Sequence, residues 1–330
     1  MNRVSSLRDF FKDNIVGFSE SDNIEEFPAM SVSDDQNFEC VEDSSFRKSS
    51  FTPKRIIFFD SVVRLDFVVS TKVSIAGFVT FALGGLFSDC GEPIDIKKNI
   101  KYKVVRKLIT CRSTLKEDFF YNVLSLTSDG FSLDYEIELV DSSITRISEL
   151  WNEIVLKSIL PNLERGFIFD IIKDVDDNSI LVKDGNLYGF THSLNVFGHV
   201  KNFNVPRVVF DDKNLKGGIR SSIYKNKSTE NVYSCFVDLG RMRTFRPLGG
   251  RGMFDYLRVD IVCDHFDSLV YDVVDRFNFI SDYIFSSTSV FSGSDRFPQN
   301  TPMIESIERF LRTVSGDKRI ISSILRKLCY

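Results

Sequence analysis

Between Arg55 and Ser70 the chain changes rhythm. Ile56 to Phe59 is an unbroken apolar run, the mark of a strand covered on both faces, and it delivers Asp60 at or near its carboxyl end. From Val63 to Thr71 the pattern alternates, Arg64 and Asp66 against Leu65 and Phe67, which predicts a second strand. A third is expected near Val73–Phe81, with Gly77 and then Gly84-Gly85 supplying the turn after it. Three strands joined by tight links make an antiparallel meander.

A helical rhythm follows. Ile147, Leu150, Trp151, Ile154, Val155 and Leu156 share one face, and Pro161 breaks or restarts the helix. Leu163 to Ile172 predicts another short helix carrying Glu164 and Asp170. Ile180 to Val182 is again a short apolar strand ending in an acid, and Asp184-Gly185 predicts a turn with positive φ. At the other end of the chain, Leu7, Phe10, Phe11 and Ile15 predict a short amphipathic helix over residues 1–18. Residues 19–52 read as a serine- and acid-rich, poorly ordered connection. The division is therefore an N-terminal arm over 1–52 and one compact domain over 53–330, of α/β class.

Composition narrows the class. Hydrophobic residues are 43% and charged residues 27%, a globular balance. No apolar run reaches the roughly 18–20 residues of a membrane span, and the first residues carry no apolar leader, so a cytoplasmic protein without a membrane is expected. The six cysteines show no Cys-x-x-Cys spacing and there are three histidines, which argues against zinc and thiol redox chemistry. Any metal here should have carboxylate ligands, which suits Mn²⁺ or Mg²⁺.

Charge is uneven. Residues 1–50 carry 11 Asp/Glu against 5 Lys/Arg, whereas residues 201–258 carry 12 Lys/Arg against 5 Asp/Glu. The second segment predicts a polyanion-facing surface, with Lys201, Arg220, Arg246 and Arg251 as candidates and Arg64 nearer the first acid. Gly249-Gly250-Arg251-Gly252 lacks the Lys-Ser/Thr of a P-loop and reads as a turn presenting Arg251. Two acids at strand ends, Asp60 and Asp184, plus one from the intervening helix can meet at one sheet edge. Like charges so placed raise one another's pKa, and a divalent cation removes that cost.

The element order, a meander with an acid on its first strand, a helix, then a strand ending in a second acid, resembles the ribonuclease-H-like nuclease fold. More narrowly the chain resembles the NurA family of DNA-end-processing nucleases. Phe58-Phe59-Asp60-Ser61 is similar to the family's apolar-Asp-Gly-Ser motif, and Leu181-Val182-Lys183-Asp184-Gly185-Asn186-Leu187 to its apolar-Asp-Gly-x-Leu motif. Gly198-His199-Val200-Lys201 resembles its Gly-x-x-Lys strand, Tyr256-Leu257-Arg258-Val259-Asp260 a later strand, and Arg296-Phe297-Pro298 its Tyr-Pro region. The resemblance covers about residues 54–325 and implies a ribonuclease-H-like mixed sheet, a three-strand meander plus parallel strands, flanked by helices. It implies Asp60 and Asp184 as ligands of Mn²⁺ or Mg²⁺, completed by a helical acid for which Glu164 fits best against Glu149, Glu153 and Asp170. It places Lys201 at the scissile phosphate or a metal-bound water, Phe297 where the family has Tyr, and Glu305 where it has His. The implied activity is metal-dependent cleavage of single-stranded DNA and DNA ends in double-strand-break repair, by a homodimer working with a hexameric HerA-type ATPase. Ser61, Phe297 and Glu305 depart from the family pattern, and the alternative is a non-catalytic DNA-end-binding subunit that keeps the fold. For the N-terminal stripe of Phe10, Phe11, Ile15 and Phe18, packing against the domain is favoured over docking to a partner.

Overall fold

The apolar run Ile56–Phe59 begins one long strand that carries on through Asp60. The computed structural model describes residues 2–4, 6–7, 10–11, 15–19, 38–89, 95–116, 123–128, 131–173, 178–187, 189–190, 193–201, 212–217, 219–227, 231–239, 256–287 and 301–329. They form an α/β structure, a large mixed sheet with helices on both faces. Its strands are β1 (Asn2–Val4), β2 (Gly17–Ser19), β3 (Phe38–Glu42), β4 (Arg55–Ser70), β5 (Ile75–Asp89), β6 (Ile100–Cys111), β7 (Val123–Ser128), β8 (Phe131–Val140), β9 (Ser179–Asp184), β10 (Ser193–Val200), β11 (Ile223–Asn226), β12 (Val232–Asp238) and β13 (Tyr256–Val262). The order across the sheet is β1-β7-β8-β6-β5-β4-β9-β10-β13-β12-β11-β3, with β2 paired to the end of β4.

The expected meander exists, but one strand later than the sequence pattern placed it. The segments expected as its first and second strands are both β4, and its partners are β5 and β6, each antiparallel to the last. A register shift between Leu65 and Phe67 accounts for the difference. Such a bulge flips the side chains that follow to the other face, so one strand carries two rhythms. The actual turn is Thr71–Ser74, where Thr71 Oγ1 donates to the Ser74 carbonyl at 2.8 Å.

Gly84 and Gly85 are not a turn. They lie inside β5, and each leaves room for a helix on its own face of the sheet. A Cβ on Gly84 would sit 3.0 Å from Leu311 Cδ2, and one on Gly85 2.6 Å from Ile171 Cδ1. The second contact is closer than side chains pack, and the first is tight enough that Leu311 would have to give.

The helices are α1 (Ile96–Asn99), α2 (Ile147–Glu149), α3 (Leu160–Lys173), α4 (Lys213–Gly217), α5 (Phe266–Ser287), α6 (Pro302–Val314) and α7 (Lys318–Leu328). A π-helical stretch, Leu150–Ile159, joins α2 to α3 without a break. Pro161 does not end the helix, because it falls where the wide turn hands over to α3 and Leu160 N–H already reaches back to the Val155 carbonyl. On one face of the sheet Ile57, Phe59 and Leu181 pack under Ile168 and Ile171 of α3. On the other, Ile56, Phe58, Ile180 and Val182 pack under α5 and α6 through Phe277, Ile280, Ile304, Ile307 and Leu311.

The N-terminal stripe is not a continuous amphipathic helix; β1 and β2 occupy its ends. Leu7, Phe10 and Phe11 are buried with Leu115, Leu124 and the α7 residues Ile321 and Leu325. Part of the acid-rich arm also joins the sheet, as β3 against β11. Among the described residues no helix is long and apolar enough to cross a membrane, and no disulfide forms.

Candidate functional site

Strands β4 and β9 run parallel and stay paired from Arg55–Ser179 to Phe59–Lys183. Asp60 and Asp184 are the next residues on each strand. Period-two alternation puts both on the α5/α6 face, one step beyond the apolar pairs of Phe58 and Val182. Strand β10 extends the row, since Asp184 is in register with His199. On the other side Asp60 pairs with Gly84, which pairs with Tyr102. A transverse line of Tyr102, Gly84, Asp60, Asp184 and His199 therefore crosses the sheet.

The Asp184-Gly185 turn has the positive φ expected of it, 92° at Gly185. It folds against β10, with Gly185 N–H donating to the His199 carbonyl at 2.9 Å. Gly198 permits that approach, because a Cβ there would lie 3.0 Å from the Gly185 carbonyl oxygen.

Each acid has a different electrostatic setting. Asp60 is buried and accepts a hydrogen bond from Ser61 N–H at 2.7 Å. Burial first, and then the charge of Asp184, push its carboxyl well above the ordinary carboxylate range, against the pull of Ser61 N–H and Lys201. Glu308 of α6 adds to the upward push, so it belongs to the same electrostatic cluster. Asp184 goes the other way. Burial raises it, but the hydrogen bond from His199 and the charge of Lys201 outweigh that and hold it low. Lys201 Nζ donates to Asp184 Oδ2 at 2.9 Å, and His199 Nδ1 lies 3.4 Å from Oδ1. Burial lowers the His199 pKa and keeps the ring neutral, so Nδ1 is the donor and Nε2 the acceptor end. That Nε2 is buried without a hydrogen-bond partner among the described residues.

Glu164 is brought close in sequence register but not onto this face. It sits on α3, on the opposite side of the sheet, where it accepts from Ser61 Oγ at 2.6 Å and pairs with Lys183 Nζ at 3.0 Å. Ser61 and Lys183 are the alternate neighbours of Asp60 and Asp184, and alternation sends them to the other face. The expected cluster of Asp60, Glu164 and Asp184 is thus split by the sheet. Among the described residues no three His, Cys, Asp or Glu side chains are grouped to hold a metal ion.

The remaining candidates also fall into place. Glu305 lies in the first turn of α6, half-buried and paired with Arg309; Glu308, one turn on, is the α6 acid that acts on Asp60. Arg64 is not a free surface cation. It pairs with buried Asp66 at 2.7 Å and donates to the Gly316 carbonyl at 2.8 Å, closing the end of α6. Arg220 is wholly buried, with Nε donating to Asn278 at 2.8 Å and Nη1 to the Ser221 carbonyl at 2.7 Å, so it has no face to offer a phosphate. Arg258 is likewise buried, against Asp260. Arg246, Arg251 and Phe297 lie outside the described residues.

As hard oxygen donors, Asp60 and Asp184 match Mn²⁺ or Mg²⁺, and the raised Asp60 carboxyl is one that a cation would favour ionising. The charge is nevertheless already shared out: Lys201 serves Asp184, and Lys183 serves Glu164. Residue reasoning missed both of those lysine roles, as well as His199 and Glu308. A Lys-Asp dipeptide and a helical Glu carry no signal of which acid they will meet. The sequence matches no family model and no curated protein.

Proposed function

We propose that this chain is a metal-dependent deoxyribonuclease of the ribonuclease-H-like type, a divergent relative of the NurA nucleases. The observation that supports it best is the meeting of Asp60 and Asp184 on one face where parallel β4 and β9 stop pairing. The central strand order β6-β5-β4-β9-β10, an antiparallel meander followed by parallel strands, also fits that fold, with a β7–β8 hairpin inserted before the helix. Asp60 and Asp184 would hold Mn²⁺ or Mg²⁺, and Glu308 of α6 adds its charge to the setting of Asp60. Bound there, the cation supplies Lewis-acid polarisation of a phosphodiester and activates water. Asp184 is kept ionised for that purpose by Lys201 and His199, and His199 is fixed in one tautomer by Asp184. By the same resemblance we place the protein in the repair of DNA double-strand breaks, as a homodimer with a hexameric HerA-type ATPase.

The test is cleavage of single- and double-stranded DNA in Mn²⁺ by the wild-type chain, Asp60→Asn and Asp184→Asn. Loss of cleavage in both variants supports the reading; undiminished cleavage in both removes this site from the chemistry. One observation favours a second reading, a DNA-end-binding subunit without catalysis: Lys201 already neutralises Asp184, and Glu164 is across the sheet. Calorimetry with Mn²⁺ separates the two, since only the enzyme should bind the ion in a manner lost with Asp184→Asn.

A further inference from the structure

The basic segment expected to face DNA contributes two of its arginines, Arg220 and Arg258, to the interior. A denser run lies elsewhere. Residues 97–107 read Lys-Lys-Asn-Ile-Lys-Tyr-Lys-Val-Val-Arg-Lys, six cations with no acid. Arg106 and Lys107 are engaged, the first with the Ser315 carbonyl and the second with Glu136 and Glu138. Lys97, Lys98, Lys101 and Lys103, on α1 and the start of β6, are exposed. Lys98 pairs with Asp95 at 3.4 Å. Lys101 and Lys103 line an open groove of about 470 Å³ between β6 and α3, together with Tyr102, Phe167, Ile171 and one acid, Asp170.

Aromatic rings interleave with these cations. Tyr102 turns its ring to the other face, against Phe310 of α6, but Phe87 and Phe169 stay on the α3 side. Phe169, two residues before the groove's Ile171, is 61% exposed. Lys101 Nζ stands 5.3 Å from the Phe87 ring centroid, and Lys173 Nζ 4.2 Å from that of Phe169. Phe87 is half-buried under Lys101 and Arg55, whereas Phe169 faces water beside Lys173. An exposed ring in a lysine-rich setting suits a ligand that offers flat π-faces and a negative charge at each step. A single nucleic-acid strand does both; an acidic peptide supplies only the charge. The groove lies across the sheet from the candidate site. Lys103 is in register with Leu83 and Leu83 with Ser61, so Lys103 is two strands, roughly 10 Å, from the residue that follows Asp60.

We infer that Lys101 and Lys103, continued by the exposed Lys97 and Lys98 of α1 and by Phe169, form a lane for single-stranded nucleic acid along the α3 side of the sheet. The lane lies on the face opposite Asp60 and Asp184, so it holds the strand away from the point of cleavage, and it rests on the nuclease reading for the substrate class. The four lysines track the backbone without reading sequence, and Phe169 stacks on a base.

The test is fluorescence anisotropy with a labelled oligothymidine in EDTA across a salt series. It compares wild type, Lys101→Glu/Lys103→Glu, Phe169→Ala and Asp184→Asn. The charge-reversed protein should bind at least tenfold more weakly, with a log–log salt slope shallower by about 1.4, the value for two lost phosphate contacts on a single strand. Phe169→Ala should lose about fivefold, the low end for one stacked base. Asp184→Asn should bind like wild type, because the lane lies on the other face. All substituted lane residues are exposed, and matching denaturation curves verify folding. Wild-type binding by the Lys101→Glu/Lys103→Glu variant overturns the inference, as does equal competition by polyglutamate, which would mark an acidic-protein surface. If the oligonucleotide binds at the lane but no cleavage occurs in Mn²⁺, the enzyme reading fails while the lane stands. Cleavage that is indifferent to the lane variants removes the lane and leaves the enzyme reading in place.

Discussion

Lys201 Nζ lies 2.9 Å from Asp184 Oδ2, and its charge also acts on Asp60. An ammonium thus serves both acids on the face where the sequence calls for a metal ion. The acids need no divalent cation to coexist in this arrangement: Asp184 is ionised beside a lysine, and Asp60 is pushed towards its neutral form. On the reading proposed above, a divalent ion entering here would have to compete with Lys201 for Asp184, so the lysine would limit metal affinity.

Lys201→Met should therefore have two effects. It leaves Asp184 with only His199 and lowers stability by about 2 kcal/mol, below the usual range for a broken buried pair because both side chains keep some exposure. It should also increase the stabilisation gained from Mn²⁺, since ligand binding to the folded state raises the denaturation midpoint. Thermal denaturation with and without Mn²⁺ measures both. An Mn²⁺-induced shift no larger than that of wild type would show that lysine and metal do not share a position.

Arg64 offers a contrast between structure and binding. Its guanidinium pairs with Asp66, which is fully buried and also accepts from Thr80. Arg64→Ala leaves that carboxylate without its main cation and should cost roughly 3–5 kcal/mol. Arg64→Ala/Asp66→Asn should recover part of the loss, because the stranded charge is gone. Urea denaturation of the two variants gives the difference, while DNA affinity per folded molecule should stay at the wild-type value. A weakened DNA affinity at unchanged stability would return Arg64 to the binding surface.

Alongside Asp184, Asp212 should account for part of the acid sensitivity. Although burial raises its pKa, a Tyr224 hydroxyl and the backbone N–H groups of Asn214, Leu215 and Ser222 bind its carboxylate and hold the pKa below the ordinary value. The folded state then binds the proton more weakly than the unfolded state does. The contribution is complete above the unfolded carboxylate pKa of about 4 and is lost as pH falls through the lower, folded value. Asp212→Asn should cost about 1–2 kcal/mol at pH 7 and flatten the fall in stability below about pH 4, as read from urea midpoints at a series of pH values. An acid limb of undiminished steepness would assign that sensitivity to other groups.

Asp60, expected at a strand end, instead lies inside β4, which runs on to Ser70. Asp184 does end β9, which was legible from its apolar run, as was the positive-φ turn at Gly185. The partition between faces was not. Whether Glu164 joins Asp60 or Ser61 depends on the face α3 packs against, and period-two alternation turns that choice into opposite outcomes. The strand count failed at the Leu65–Phe67 bulge, which mimics a strand boundary, while the real turn at Thr71–Ser74 contains none of the usual Gly, Pro or Asn. The N-terminal stripe shows a related limit. Phe10 and Phe11 are T-stacked in the core as expected of large rings, carried on a single turn in which both N–H groups donate to the Leu7 carbonyl.

Gly84-Gly85 is the sharpest case, because a Gly-Gly pair signals a turn from sequence and yet here sits between two helices pressed on opposite faces of β5. A turn would tolerate larger residues at modest cost; a double helix contact would not. Gly84→Val should drive α6 off the sheet, and Gly85→Val should do the same to α3, each costing about 2 kcal/mol through overpacking. Hydrogen exchange resolves them: faster exchange over residues 302–314 for the first and over 160–173 for the second. Because α6 also carries Glu308, the Gly84 variant alone should disturb the acids around Asp60, seen as a weaker response to Mn²⁺. Identical exchange profiles for the two variants would mean that the glycines do not set the seats of α6 and α3 separately.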